Sequence, residues 1–168
     1  PFVMASVNTK IVHRTNALLG RRWGREFRYD EAMMTGSGPL GAIKSGGMVG
    51  GLGAGMALVA IGPVRRLLEK RVLPKPGEGP SPEAQQAGSF DLRFYGTTGA
   101  GQRVTTKVTG DADPGYGSTA KMLGEAALCL LGTDRSDVAG GFWTPASALG
   151  ENLVEQLKEY AGLTFEVV

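Results

Sequence analysis

The residues of this sequence best suited to chemistry lie in one short stretch, DPGYGSTAK, at residues 113–121. A proline-glycine turn precedes a helical pattern there, and the free backbone N–H groups at the start of a helix attract anions. The phenol of Tyr116 and the ammonium of Lys121 are groups that can donate a proton or hold a substrate carbonyl. We therefore predict Tyr116 and Lys121 as catalytic candidates, and Asp113, Ser118 and Thr119 as residues that face substrate or cofactor.

The same stretch also fits a purely structural role. Asp113 is a residue type that caps helices, Tyr116 can pack, and Lys121 can be solvated. The carboxylates of Asp111 and Asp113 lack the spacing of a calcium loop, and turn formation explains them. Both interpretations remain open from the residues alone.

His13 and Cys129 are the only histidine and the only cysteine of the 168 residues. An intramolecular disulfide is therefore impossible, and a thiolate-rich metal site or a Cys-His nucleophile pair lacks the residues it needs. We expect no metal, a packed or exposed His13, an inert core thiol at Cys129 and a reducing, cytosolic setting.

The charge of the chain is nearly balanced, with 18 Lys and Arg against 16 Asp and Glu. Binding to a nucleic-acid backbone needs a concentrated basic face. The basic turn at residues 21–25 is a solvated loop by this criterion, and Arg93, Arg103 and Lys107 are typical of a solvated sheet face. We expect no nucleic-acid partner.

A glycine-rich stretch, TGSGPLGAIKSGGMVGGLGAG, occupies residues 35–55, and Gly36, Gly38 and Gly41 match the spacing G-x-G-x-x-G. A dinucleotide site needs that motif after a strand, at the start of a helix, and followed by a second parallel strand with an acid. Pro39 lies inside the motif and the following strand is missing. We interpret the match as coincidence.

The second half of this stretch is apolar and carries no charge from residue 45 to residue 63. Gly47, Gly51 and Gly55 recur every four residues, a pattern of close helix contact. Basic residues follow directly, namely Arg65, Arg66, Lys70 and Arg71. Three interpretations fit: a buried hairpin or helix, an interfacial membrane anchor with a basic flank, and a transmembrane span.

The remaining periodicities predict the elements around these residues. We expect a helix over residues 9–19 capped by Asn8 and ended by Gly20, and a strand over residues 26–34. Alternating residues predict an antiparallel hairpin, with a glycine-containing loop at residues 96–101 between its strands. Further along we expect a mostly buried helix at residues 116–131, a helix at 151–161 ended by Gly162, and a strand at 163–168.

This order predicts an α+β fold, because strands and helices do not alternate regularly. We expect a mixed, largely antiparallel sheet with a hairpin, packed by helices on one face. Residues 36–73 form a glycine-rich apolar and basic insert in this scheme, and residues 74–88 form a linker rich in proline and glycine.

Two long stretches of the last third carry a family resemblance: TGDADPGYGSTAKMLGEAALCLLG and GGFWTPASALGENLVEQLKEYAGLTFEV. Upstream, PFVMASVNTKIVHRTNALLG, the hydrophobic glycine-rich insert and SFDLRFYG follow in the order of the same family. With its D-P-G-Y and T-P-A-x-A-x-G motifs, the chain resembles the saccharopine dehydrogenase-like oxidoreductases. The likeness is to their membrane- and lipid-associated branch, which includes the mycobacterial trans-acting enoyl reductases.

The resemblance implies an NAD(P)-dependent enzyme with an N-terminal Rossmann domain and a second domain built on a mixed sheet. Residues 1–168 correspond to that second, C-terminal catalytic or substrate domain, and the chain is expected to be a fragment because it begins at Pro1. The cofactor would be bound mainly by the Rossmann domain, so none is expected for this fragment alone. The implied reaction is hydride addition to an enoyl group of a lipid or polyketide-derived substrate.

The implied partners are the Rossmann domain of the parent chain, a lipid or acyl substrate, a membrane surface and a second copy in a homodimer. The expected location is cytoplasmic, peripheral on the inner face of the plasma membrane. An alternative from another class is a non-catalytic membrane-peripheral module that binds lipid or serves as a scaffold with the same fold.

Overall fold

The computed structural model describes residues 2–72 and 77–168. The chain divides into two compact units, Pro1–Glu78 and Gly79–Val168. The boundary lies inside the predicted linker, residues 74–88. Residues 74–76 of that linker are outside the described residues, and a short helix occupies its second half.

The first unit contains helices α1 (Ala5–Leu18), α2 (Gly38–Ala60) and α3 (Gly62–Arg71). Helix α1 begins one turn before the predicted start, with Met4 as its N-cap residue, so the prediction that Asn8 caps it is wrong. The Asn8 amide instead donates a hydrogen bond to Glu31. The predicted exit at Gly20 is confirmed, since its φ of 68° is left-handed and favours glycine.

The strand predicted over residues 26–34 is absent, and these residues are not in a helix or sheet. The buried Asn16 holds the start of this segment: its side chain donates to the carbonyl of Gly24 at 3.0 Å and accepts from the N–H of Trp23 at 2.9 Å. The rings of Trp23 and His13 both contact Phe27. Side-chain contacts hold this segment in place of backbone hydrogen bonds to a neighbouring strand, because the described part of this unit contains no strand.

Helix α2 runs unbroken through the glycine-rich stretch. Pro39 is tolerated because it lies in the first turn, where a backbone N–H has no helical partner. The helix stops at Ile61, whose φ of −85° and ψ of 109° are extended, and α3 starts directly after it. Helix α3 contacts α2, and Val64 and Leu68 are its half-buried residues.

The second unit contains helix α4 (Pro82–Ala87), strands β1 (Phe90–Thr97) and β2 (Arg103–Gly110), helices α5 (Gly117–Leu131) and α6 (Pro145–Tyr160), and strand β3 (Leu163–Val167). The three strands form an antiparallel sheet in the order β1-β2-β3. The register aligns Leu92 with Val108 and Val108 with Phe165. The predicted α+β class and the predicted hairpin are confirmed.

The core of this unit lies where α6 covers one end of the apolar sheet face. Leu157, Ala161 and Leu163 are buried there, with Phe90, Val108, Met122, Leu153 and Phe165 packed around them. Farther along the same face Leu92, Phe94 and Val104 are exposed. One helix therefore covers only part of the sheet.

Helix α5 has nearly the predicted bounds, but the prediction that it is mostly buried is wrong. Its buried residues are Ser118 and Cys129, so the expected core thiol at Cys129 is confirmed. Leu123 and Leu131 are 70% and 84% exposed on other sides of the helix. One side of α5 packs on α6. The opposite side is exposed, because none of the described residues covers it.

Helix α6 starts six residues before the predicted helix. A capping box begins it: the Thr144 side chain accepts from the backbone N–H of Ser147, and the Ser147 hydroxyl oxygen accepts from the backbone N–H of Thr144. Gly150 interrupts the helix with φ 54° and ψ −132°, so the predicted helix corresponds to the part after this kink. Gly162 ends it with a φ of 70°, as predicted.

Candidate functional site

Asp113 organises the turn that leads into α5. Its carboxylate accepts the backbone N–H of Tyr116 at 2.7 Å, and its carbonyl accepts the N–H of Ser118 at 2.8 Å. Its own N–H donates to the carbonyl of Gln85 in α4 at 2.8 Å. A β-carbon at Gly88 would come within 2.6 Å of the Asp113 backbone, so the glycine permits this close approach.

These bonds use two of the N–H groups that the sequence suggested for anion binding. The carboxylate of Asp113 thus accepts a backbone N–H at the start of this helix, as a bound anion would. The N-cap residue itself is Tyr116. Asp113 therefore has the structural role predicted as its alternative, since it stabilises the start of α5. A role in facing substrate or cofactor stays a prediction for Asp113, and equally for Ser118 and Thr119.

Lys121 forms an ion pair with Asp111 across this turn, with Nζ and Oδ1 3.0 Å apart. Both side chains are roughly half exposed, at 43% and 58%. The Asp111 carboxylate lies directly against Gly162, where a β-carbon would overlap it. Glycine at position 162 therefore leaves room for the carboxylate that pairs with the lysine.

The other predicted site residues differ in their surroundings. Thr119 donates from its hydroxyl to the carbonyl of Pro114 at 2.6 Å. Ser118 is fully buried, and its Oγ has no hydrogen-bond partner among the described residues. Tyr116 is 55% exposed, and its ring lies against the backbone of Gly79.

A shallow open cavity of about 360 Å³ lies beside this turn, lined by Pro82, Gln85, Gln86, Asp111, Ala112, Gly117 and Lys121. Of the two catalytic candidates, Lys121 lines the cavity, while Tyr116 is not among its lining residues. The structure therefore brings together one ammonium, one carboxylate and two carboxamides. Such a set can bind and polarise a carbonyl oxygen and can supply a proton.

Helix α4 and its contribution to the cavity were missed, because PSPEAQQAG was interpreted as part of a linker. The available signal was Ser81 before Pro82 and Glu83, a helix start. Ser81 accepts from the N–H of Ala84 at 3.3 Å. The pKa of Glu83 is lowered by hydrogen bonds from its own backbone N–H and from Ser81.

The residues predicted as a membrane or packing segment lie on helices α2 and α3. Gly47, Gly51 and Gly55 follow one another along α2, and a β-carbon at any of them would meet no atom within 4 Å. Helix α2 is long and apolar enough to cross a membrane, and none of its apolar window is buried inside the chain. The interpretation as a helix buried within the chain is therefore wrong for the described residues.

The basic residues predicted beside this segment lie on α3. Arg65 pairs with Glu69 at 3.0 Å, and both side chains are largely exposed. The other cations of the group are Arg66, Lys70 and Arg71. Residues 2–72 and 77–168 contain no carboxylate in salt-bridge contact with those three.

The residues of the G-x-G-x-x-G match do not form a dinucleotide cradle. The preceding residues are extended without being a strand, and α2 starts at Gly38 inside the motif. The backbone of Gly36 lies against Gly41, and no strand leads into Gly36 to form the turn that holds a pyrophosphate. The residues present at Gly36, Gly38 and Gly41 therefore do not fit NAD(P).

The chain is similar to curated mycobacterial proteins over nearly its whole length. It is 45% identical over 159 residues to a Mycobacterium tuberculosis protein described as a candidate trans-acting enoyl reductase. It is 39% identical over 163 residues to the trans-acting enoyl reductase of Mycobacterium ulcerans, and 40% identical over 161 residues to that of Mycobacterium bovis.

These alignments cover 93% to 94% of this chain, which spans 38% of the length of each relative. No family model and no solved structure matches the chain. The relatives support the enoyl reductase part of the resemblance, and their names do not mention saccharopine dehydrogenase.

Proposed function

We propose that this chain is the substrate-binding and subunit-contact part of an NAD(P)-dependent enoyl reductase of the saccharopine dehydrogenase-like family. The observation that carries the proposal is the 39% to 45% identity to proteins named as trans-acting enoyl reductases, over almost all of this chain. The substrate would be a lipid or a polyketide-derived acyl chain with a double bond conjugated to a carbonyl.

The cofactor would be held outside these residues. The glycine motif at residues 36–41 does not fit a dinucleotide, and the relatives are far longer than this chain. A Rossmann domain of the parent chain is therefore the proposed partner, and a reduced nicotinamide bound there would supply the hydride. This chain alone should not catalyse the reaction.

Lys121 would hold the carbonyl oxygen of the substrate in the cavity beside α5. Its ammonium lines that cavity, and Asp111 fixes its position through the ion pair at 3.0 Å. A positive charge near the carbonyl favours hydride addition to the conjugated double bond, because negative charge develops on that oxygen. Lys121 would then provide the proton that completes the reduction, since Tyr116, the other candidate, does not line the cavity.

The test uses the complete protein in which this sequence occurs, with NADPH and an α,β-unsaturated acyl thioester. NADPH oxidation and formation of the saturated thioester are the expected results. Lys121→Met should lower kcat/KM on the order of a hundredfold, the usual contribution of a positioned acid. Lys158→Met removes a matched exposed lysine, paired with Glu155 on α6, and should leave kcat/KM unchanged. Equal activities of the two variants would reject the role of Lys121.

The second candidate function is a non-catalytic, membrane-peripheral lipid-binding or scaffold module. The exposed apolar helix α2 favours it, because such a surface serves attachment without chemistry. The location proposed for either function is cytoplasmic, on the inner face of the plasma membrane. A complete protein that binds vesicles, shows no quenching of its fluorescence by NADPH and reduces no enoyl thioester would favour the scaffold.

A further inference from the structure

Helix α2 presents apolar side chains on every side. Its 23 residues extend about 34 Å, slightly more than the hydrocarbon layer of a bilayer at about 30 Å. Ile43, Met48, Val49 and Leu58 point in four different directions at helical spacing, and all four are exposed. A protein partner covers one side of a helix, whereas lipid surrounds it.

The charges around α2 have one sign. The sequence contains no Asp or Glu between Glu31 and Glu69, and Lys44, in the second turn, is the only charged residue of α2. A long lysine side chain near a helix end can extend to the headgroup layer. The remaining length, residues 45–60, is uncharged.

Helix α3 supplies the surface part of the same arrangement. The extended backbone of Ile61 separates α2 from a helix with four cations and one acid. Val64 and Leu68 are half-buried, one turn apart on α3, while Arg65, Arg66 and Lys70 are exposed. Such a basic amphipathic helix is typical of segments that lie in an anionic headgroup layer.

We infer that α2 inserts into the hydrocarbon layer of an anionic lipid bilayer, with α3 lying in the headgroup layer beside it. The uncharged length, the exposure of α2 on all sides and the cluster of cations at its end together select this partner. The inference goes beyond the proposed reductase function and does not depend on it. Its failure would leave the enoyl reductase proposal intact.

The test is flotation of the full 168-residue chain with vesicles of phosphatidylcholine, with and without phosphatidylglycerol. The chain should float with both, and more strongly when the anionic lipid is present. Leu52→Glu places a charge at the middle of the uncharged helix and should weaken binding on the order of a hundredfold. Replacing Arg65, Arg66, Lys70 and Arg71 by Gln should abolish the preference for phosphatidylglycerol.

Two matched controls make the result specific. Leu123→Glu introduces the same charge at an exposed leucine of α5 and should leave flotation unchanged. Replacing the exposed Lys10, Arg22, Arg103 and Arg135 by Gln removes the same charge elsewhere and should preserve the lipid preference. Absence of flotation, equal effects of Leu52→Glu and Leu123→Glu, or loss of lipid preference in both cation variants would overturn the inference. Circular dichroism of each variant should show unchanged helix content.

Discussion

A single carboxylate, that of Glu31, joins helix α1 to the segment that follows it. One of its oxygens accepts the side-chain amide of Asn8 at 2.9 Å, and the other accepts the hydroxyl of Tyr29 at 2.8 Å. The pKa of Tyr29 is raised to about 12, mainly by burial of the phenol and further by the hydrogen bond and the negative charge of Glu31. The folded chain therefore favours the protonated phenol.

This shift predicts a loss of stability at high pH. The contribution of Tyr29 is fully present below pH 10, the usual pKa of tyrosine, and is lost as the pH rises toward about 12. Because the phenol is partly solvated, we expect the free energy of unfolding to fall by on the order of 1 kcal/mol over this window. Urea unfolding across the window should show the fall in the native chain and a smaller one in Tyr29→Phe.

The role of Glu31 in that shift has its own control. Glu31→Gln should lower the pKa of Tyr29 without restoring the usual value, because burial, the largest cause, remains. Ultraviolet titration, with Tyr29→Phe used to identify the relevant phase, measures it. An unchanged titration in Glu31→Gln would show that the carboxylate does not contribute.

At the scale of elements, Gly150 determines the shape of α6. Its φ of 54° with ψ of −132° is a conformation that only glycine adopts readily. A β-carbon there would meet no atom within 4 Å, so any cost of Gly150→Ala comes from the backbone. We expect a loss of about 1 to 3 kcal/mol in the free energy of unfolding.

Gly124 is the matched control, since it lies inside helix α5 and a β-carbon there would also meet no atom within 4 Å. Gly124→Ala should stabilise the chain by about 0.5 to 1 kcal/mol, because alanine is the better helix former. Chemical denaturation of both variants gives the comparison. A neutral Gly150→Ala would mean that α6 continues through this position without the kink.

Local sequence patterns predicted those elements whose hydrogen bonds are made within the element or with its neighbour in sequence. Alternating residues identified the hairpin, and the left-handed exits at Gly20 and Gly162 followed from residue type. The prediction failed over residues 26–34, because alternation alone provides no second strand to pair with. It also failed for burial of α5, since periodicity shows an apolar helix without showing what covers it.

The candidate site was predictable only in part for the same reason. DPGYGSTAK indicated the turn and the helix that follows, and Asp113 does hold that turn. The pairing of Lys121 with Asp111 depends on the exact path of the turn between them, and the cavity wall from α4 depends on packing between separate helices. No local pattern specifies such contacts.

At the scale of the molecule, the unit Gly79–Val168 contains its own core and the whole candidate site. It also exposes apolar side chains on α5, where Leu123 and Leu130 lie two turns apart on one face. Beside the folded core, an uncovered stripe of this kind favours association. The exposed leucines of α5 therefore offer a contact surface for the homodimer expected from the sequence, which remains a prediction.

Residues 79–168 produced alone should fold cooperatively and associate in water as their concentration rises. Leu123→Gln combined with Leu130→Gln should weaken association by about a hundredfold, because two exposed leucines would no longer be buried at the contact. Analytical ultracentrifugation measures association, and the denaturation midpoint should stay unchanged at concentrations where the chain is monomeric. Leu92→Gln with Val104→Gln alters the uncovered sheet face as the control. If only this sheet variant dissociates the complex, the contact lies on the sheet and the role of α5 is rejected.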